Sequence, residues 1–218
     1  MIPGPYKQGI VWNDIKIGHD FYMISVTRRD EVIEVFLTNL TELWMETLTT
    51  EIILDKCRKL NPLLNVAAIN CSEIVANILS NVSQHIVQAS VEEIKLHAQL
   101  EGGLMKFSLN LTKGTCRHFG EIVMKPLCIS SLEIIRQNKI LVDLIKRKDE
   151  EIAEYKAEGA ELIRKNIETE TFKEEQLKTD IPVPDAAECA RAFQGMVNFY
   201  NMLNLREHSE PSTKATRY

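Results

Sequence analysis

The chain has 218 residues, with 26 Lys and Arg against 31 Asp and Glu, a formal net charge of -5, and 44% hydrophobic beside 26% charged content. That composition is ordinary for a globular protein with one core and an appendage. The negative balance excludes an overall field that would draw the chain to nucleic acid or anionic lipid.

The first forty residues read as strands. Gly9 to Ile17 alternates loosely, Gly18-His19-Asp20 interrupts it, and Phe21 to Thr27 and Glu31 to Thr38 flank the turn Arg28-Arg29-Asp30. Two β-branched and aromatic runs around a short polar turn predict a hairpin. From Asn39 the apolar residues Leu40, Leu43, Trp44, Leu48, Ile52 and Leu60 fall at mostly helical spacing, with Asn39 or Thr41 as the cap and Pro62 near the end. A second helix is expected over 70–81, begun by Ser72 and Glu73, after a connection through Val66-Ala67-Ala68. Strands return over 85–100, then Glu101-Gly102-Gly103 turns the chain into Leu104 to Thr112. Alternation there puts Leu104, Lys106, Ser108 and Asn110 on one face and Met105, Phe107, Leu109 and Leu111 on the other, the better candidate for the core. This order predicts an α+β protein: an antiparallel β-sandwich head with a helix-turn-helix insertion.

Beyond Leu127 the punctuation disappears, with no Gly before Gly159 and no Pro before Pro182. Pro126 suits a first helical turn, and the run to about Glu168 predicts about 40 helical residues, about 60 Å long. Asn138, Ile145, Ile152 and Gly159 fall at a, and Leu141, Lys148, Tyr155 and Leu162 at d; five of the eight are large and apolar. A helix packed back on its own head is the alternative, but the far face is too charged to bury, which favours a parallel coiled coil between two copies. Asn138 at an a position would set register, and Gly159 would allow close backbone approach. After Ile167 the seam fails. Asp185 can cap a last helix carrying Ala190, Phe193, Met196, Val197, Tyr200 and Leu203, expected to pack back along the stalk, and the residues from Arg206 read as disordered. The expected domains are the head over 1–126, the coiled-coil stalk over 127–168, a fold-back helical segment over 169–205 and a tail over 206–218.

Little in the chain points to catalysis. There is no P-loop, G-x-G-x-x-G, H-E-x-x-H or G-x-S-x-G. His19, His85, His97, His118 and His208 never stand at ligand spacing, so no metal and no cofactor is expected. Cys57, Cys71, Cys116, Cys128 and Cys189 form no C-x-x-C pair, which argues for free thiols in a reducing compartment. No secretory signal and no stretch of about 18 apolar residues is present, so no membrane is expected and the address is cytosol or nucleus. Arg28-Arg29, Lys56 with Arg58 and Lys59, and Lys146-Arg147-Lys148 are small basic groups that read as solvated faces, or as a phosphate cradle once doubled in a dimer.

The stalk residues Lys148, Asp149, Glu151, Ile152, Tyr155, Gly159, Ala160, Leu162, Ile163 and Arg164 match the pattern K-D-x-E-I-x-x-Y-x-x-x-G-A-x-L-I-R. That pattern resembles the stalk of the XLF (Cernunnos) family of non-homologous end-joining factors. Leu40-Thr41-Glu42-Leu43-Trp44 and Lys59-Leu60-Asn61 resemble segments of the family's head, and the likeness covers about residues 10 to 180. The resemblance implies a nuclear, non-catalytic homodimer in DNA double-strand break repair, without a small-molecule substrate. It would bind head to head the related scaffold that carries DNA ligase IV and so bridge DNA ends. It implies partner contacts at Leu104, the family's leucine wedge, at Leu64, and at the basic Lys56. On the residues alone, both leucines would be core. The chain departs from the family at Pro62-Leu63, where the family has basic residues, which shifts the expected contact toward apolar burial. The family's basic tail is not among these residues, which leaves the Ku heterodimer and direct DNA contact open. A paralogous head-and-coiled-coil assembly protein that does not bind the ligase complex is the alternative.

Overall fold

The computed structural model describes residues 10–29, 32–66, 69–100, 103–161, 164, 168–173, 175 and 183–207. Asp30, Ala67-Ala68, Glu101-Gly102, Leu162 and the tail from 208 onward lie outside the described residues. Two compact units divide the chain: Met1–Leu127 with Asp185–Tyr218, here the head, and Cys128–Pro184.

In the head, β1 (Asn13–Ile17), β2 (Asp20–Arg29), β3 (Val32–Thr38) and β4 (Leu43–Leu48) form an antiparallel meander extended by the two-residue β8 (Thr112–Lys113). Gly18, with φ of 64°, supplies the left-handed residue that the two-residue β1–β2 loop requires. The helices α1 (Thr50–Leu60), α2 (Cys71–Ser80) and α3 (Val82–His85) lead into a second antiparallel sheet of β5 (Ile86–Ala89), β6 (Glu93–Leu100) and β7 (Gly103–Asn110). The expected β-sandwich-like head with inserted helices is therefore present.

The long helix the sequence calls for is α5 (Lys125–Ala157), preceded by α4 (Cys116–Phe119) and a π-helical turn (Gly120–Met124). That turn explains how Pro126 is tolerated well inside a continuous helical run. Pro donates nothing and crowds the carbonyl four residues back. Here the Lys125 N–H reaches the Gly120 carbonyl, five residues back, and the wider turn gives the ring room. The chain's last helix, α6 (Ala186–Glu207), starts with Asp185 as its cap, as its sequence predicts: Asp185 Oδ1 accepts from Glu188 N at 2.7 Å, and Glu188 Oε2 accepts from Asp185 N at 3.0 Å.

The five-stranded sheet is covered on both faces. Ile24, Val35, Leu37, Trp44 and Leu48 join Ile53, Cys57, Val75 and Leu79 of the helices and Leu96, Met105, Phe107 and Leu109 of the other sheet in the inner core. Met23, Phe36 and Leu43 join Ile10, Trp12, Ile122, Val123, Ala190, Phe193 and Val197 in an outer core. There α6 meets β2, Trp12 packs edge-on against Phe193 with centroids 5.4 Å apart, and Asn201 Nδ2 donates to the Ile10 carbonyl at 2.9 Å.

Several expectations change. Leu43 to Leu48 is a strand, and α1 begins only at Thr50, capped by Thr49. Asn39 does cap, but it caps the β3–β4 turn: its Oδ1 accepts from Thr41 N at 3.0 Å and Glu42 N at 2.7 Å, holding Leu40 at a φ of 69°. The second helix starts from Asn70, whose Oδ1 accepts from Glu73 N. The helix read as running to Glu168 stops at Ala157. Gly159, with φ of 88°, receives the chain in the left-handed conformation, its N–H donating to Lys156 O at 3.1 Å while Ala160 N–H donates to Tyr155 O at 3.0 Å, a Schellman ending. Gly159 is thus a helix terminator rather than a seam position. Within the second unit the chain then runs back beside α5: Lys156 Nζ donates to Glu168 Oε1 at 2.7 Å, and Phe172 N to Asp149 Oδ2 at 2.7 Å. The hydrogen bond and charge of Lys156 hold the Glu168 carboxyl below the usual carboxylate range.

Candidate docking site

β7 alternates as its sequence does. Met105, Phe107 and Leu109 point into the inner core, and Leu104 stands on the other face, 45% exposed, opposite Gln99 of β6. A singly exposed leucine is ordinary on a protein surface, so its exposure makes Leu104 accessible without itself marking an interface.

The two residues associated with Leu104 by resemblance sit differently. Leu64 is partly buried and packs against the inner core. Its neighbour Leu63 is the exposed leucine of this loop, at 99%. Lys56, with its side chain only 16% exposed, faces inward: its ammonium donates to Glu46 Oε1, to Ser108 O at 2.9 Å and to Asn110 Oδ1 at 2.9 Å, 5.6 Å from the Phe107 ring centroid. An ammonium has three donors, and all three are used within the chain. Glu46 explains why: opposite Val35 on the core side of β4, a half-buried carboxylate needs a cation. Sequence reading missed Glu46, which carries no motif, and it found Asn61 only as part of the Lys59-Leu60-Asn61 segment, without its contacts to β7. Leu63 had a faint signal in lying directly after Pro62 at the end of a helix.

On α5, Leu141, Ile145, Ile152 and Tyr155 are exposed at seam spacing, joined by Leu144, and Asn138 is exposed beside them. Leu141 shows 56% of its surface. Gly159 lies beyond the helix, and Leu162 is outside the described residues.

Arg29, Lys59 and Lys148 each have a carboxylate partner, in Glu34 at 3.5 Å, Asp55 at 2.7 Å and Glu151 at 2.6 Å. Among the described residues no group of three or more His, Cys, Asp or Glu is placed to hold a metal ion, and no helix is long and apolar enough to cross a membrane. Cys57 and Cys71 are buried together between α1 and α2; burial first, then the charge and hydrogen bond of Cys71, push the Cys57 thiol up to about 12, which suits packing rather than nucleophilic chemistry.

The XLF N-terminal domain matches residues 11–113 of this chain, a span that runs from β1 through β8 and includes Leu63 and Leu104. Non-homologous end-joining factor 1 of Xenopus laevis is 29% identical over 177 residues, covering 75% of this chain and 58% of its own length. The factor of the same name from Danio rerio is 26% identical over 180 residues, covering 77% of this chain and 58% of its own length. The chain therefore spans less than two thirds of either relative. Among solved structures, the head domain of human CCDC61 aligns with a TM-score of 0.37 at 14% identity, over 48% of this chain and 99% of that one. With an XLF N-terminal domain match across its head and likeness to two end-joining factors across three quarters of its length, the chain is related to the XLF family.

Proposed function

We propose that this protein is a nuclear, non-catalytic scaffold of non-homologous end joining. Two copies pair along α5 as a parallel coiled coil, and each head docks onto the head of the scaffold that carries DNA ligase IV, so that DNA ends are held together for ligation. The observation that carries the reading is Leu104, an exposed apolar side chain in a head that matches the XLF N-terminal domain. The exposed strip of Leu141, Ile145, Ile152 and Tyr155 supports the pairing, because a single copy leaves it in water. DNA is held through the partners or by weak direct contact, in keeping with a net charge of -5. A Ku contact rests on the relationship alone.

Light scattering on the purified chain followed by a pull-down with the ligase-carrying scaffold tests the proposal. The chain is expected to be a dimer and to capture the scaffold. Leu104→Asp, an exposed substitution worth within about 0.5 kcal/mol of stability, should stay dimeric and lose affinity by about 100-fold or more, the loss of a docking anchor. Full binding by Leu104→Asp overturns the docking site. A dimer that never binds the scaffold points instead to a structural assembly protein of the same build.

A further inference from the structure

β7 is the last strand of its sheet, paired with β6 on one side only. Its other edge is where an extended peptide would add as a further strand. That edge is already occupied by side chains. Asn61 Oδ1 accepts from Lys106 N at 2.7 Å, and Asn61 Nδ2 donates to Lys106 O at 2.8 Å, so one side-chain amide imitates the pairing of a neighbouring strand. Farther along, Ser108 O accepts from Lys56 Nζ at 2.9 Å, and Asn110 N donates to Glu46 Oε2 at 2.7 Å. Strand addition over Lys106 to Asn110 is therefore closed, and a partner must meet this side of the head through protruding side chains.

Asn61 does more than fill the edge. It is the C-cap of α1: its own N–H donates to Cys57 O at 3.0 Å and its Nδ2 to the same carbonyl at 2.9 Å, while Leu64 N–H donates back to Asn61 O at 3.1 Å. Only 6% exposed, it ties three things to one point: the end of α1, the turn that carries Leu63, and β7 two residues from Leu104. Two residues along a strand is about 7 Å, so Leu104 stands about that far along β7 from the point where Asn61 is anchored. We propose that Asn61 is a positioning residue, locking the Leu63 turn to β7 so that Leu63 and Leu104 form one two-pronged element for an apolar pocket on a folded partner. This rests on the docking function proposed above and adds to it the residue that sets the geometry and a second prong at Leu63.

The test is calorimetric titration of the full chain into the ligase-carrying scaffold, for the parent, Asn61→Ala, Leu104→Asp and Val35→Ala, with amide exchange followed at Lys106. Val35 is fully buried in the other sheet and serves as a control for general loss of stability. Asn61→Ala should stay dimeric, speed Lys106 exchange by about tenfold or more, and weaken binding by about tenfold, the loss of preorganisation, while Val35→Ala binds like the parent. If Asn61→Ala binds like the parent and Leu104→Asp does not, the positioning role is overturned and the docking site stands. If both bind like the parent, the docking site falls and the positioning role with it. Equal losses in Asn61→Ala and Val35→Ala also overturn the proposal, because the effect is then stability alone. Should Asn61→Ala fail to fold, Asn61→Asp replaces it, keeping the acceptor for Lys106 N and losing both donors.

Discussion

Val35, Phe36 and Leu37 of β3 are three consecutive apolar residues with no surface exposed, whereas Leu141, Leu144 and Ile145 of α5 are as apolar and stand in water. The strand finds a cover on each face within its own chain, the inner core on one side and α6 on the other. The helix does not. Burying a Leu or Ile side chain contributes about 1.5–3 kcal/mol, so the strip leaves several kcal/mol of association energy unused in one copy. Hydrophobicity says that a residue wants cover; only topology says whether the cover comes from within.

The comparison breaks most sharply at Phe36. Phe36→Ala removes a ring packed in the outer core and should lower head stability by about 3–5 kcal/mol in a urea melt; a change under about 1 kcal/mol would mean that α6 does not seal that face. The converse substitution on α5 should leave the head intact. Leu141→Asp with Ile145→Asp is expected to weaken self-association by about 100-fold, about 2.8 kcal/mol, with the head's melting transition retained. Sedimentation at micromolar concentration reads it out, and an unaltered dimer would place the pairing surface elsewhere. At the end of α5, Gly159→Ala puts a Cβ into a left-handed residue and should cost about 1 kcal/mol, seen as faster amide exchange at Ala160 with Leu132 unaffected. The smallest effect sharpens the contrast between covered and uncovered positions. Cys116 and Cys128 are exposed and should alkylate readily at pH 8, while buried Cys57 stays protected. Because the Cys57 thiol is raised in the fold from 9.0 to about 12, its contribution to stability is complete below about pH 9 and fades as pH climbs toward 12. Cys57→Ala should flatten that alkaline decline.

Where one face of an element is wet, the sequence could be read. β7 alternates because its Met105, Phe107 and Leu109 side packs in the inner core while Leu104, Lys106 and Asn110 stay exposed, and α6 shows its apolar stripe for the same reason. The β4 sequence reads as helix because both of its faces are covered: Trp44 and Leu48 go to the inner core, Leu43 and Met45 to the outer one, and the alternation that marks a strand is lost. Asn39 has the same caplike chemistry in a turn as at a helix start, so side-chain type alone did not decide between them. Gly159 fits the heptad by spacing, but its left-handed φ ends the helix, a property of the backbone that spacing does not encode. At the candidate site, only the alternation of β7 marked Leu104 as lying off the core face. The choice between Leu63 and Leu64 was not legible, because one residue of rotation in a turn decides which of two leucines reaches the core.

The sheet with two covers has a consequence for how the protein is made. Translation proceeds from the N-terminus at about 5–20 residues per second, so β1 to β4 leave the ribosome long before Ala186 to Glu207 is polymerised. During that interval Trp12, Met23, Phe36 and Leu43 have no lid. The nascent head therefore carries an uncovered apolar face until α6 is made, and a chain ending before Ala186 would keep that face exposed.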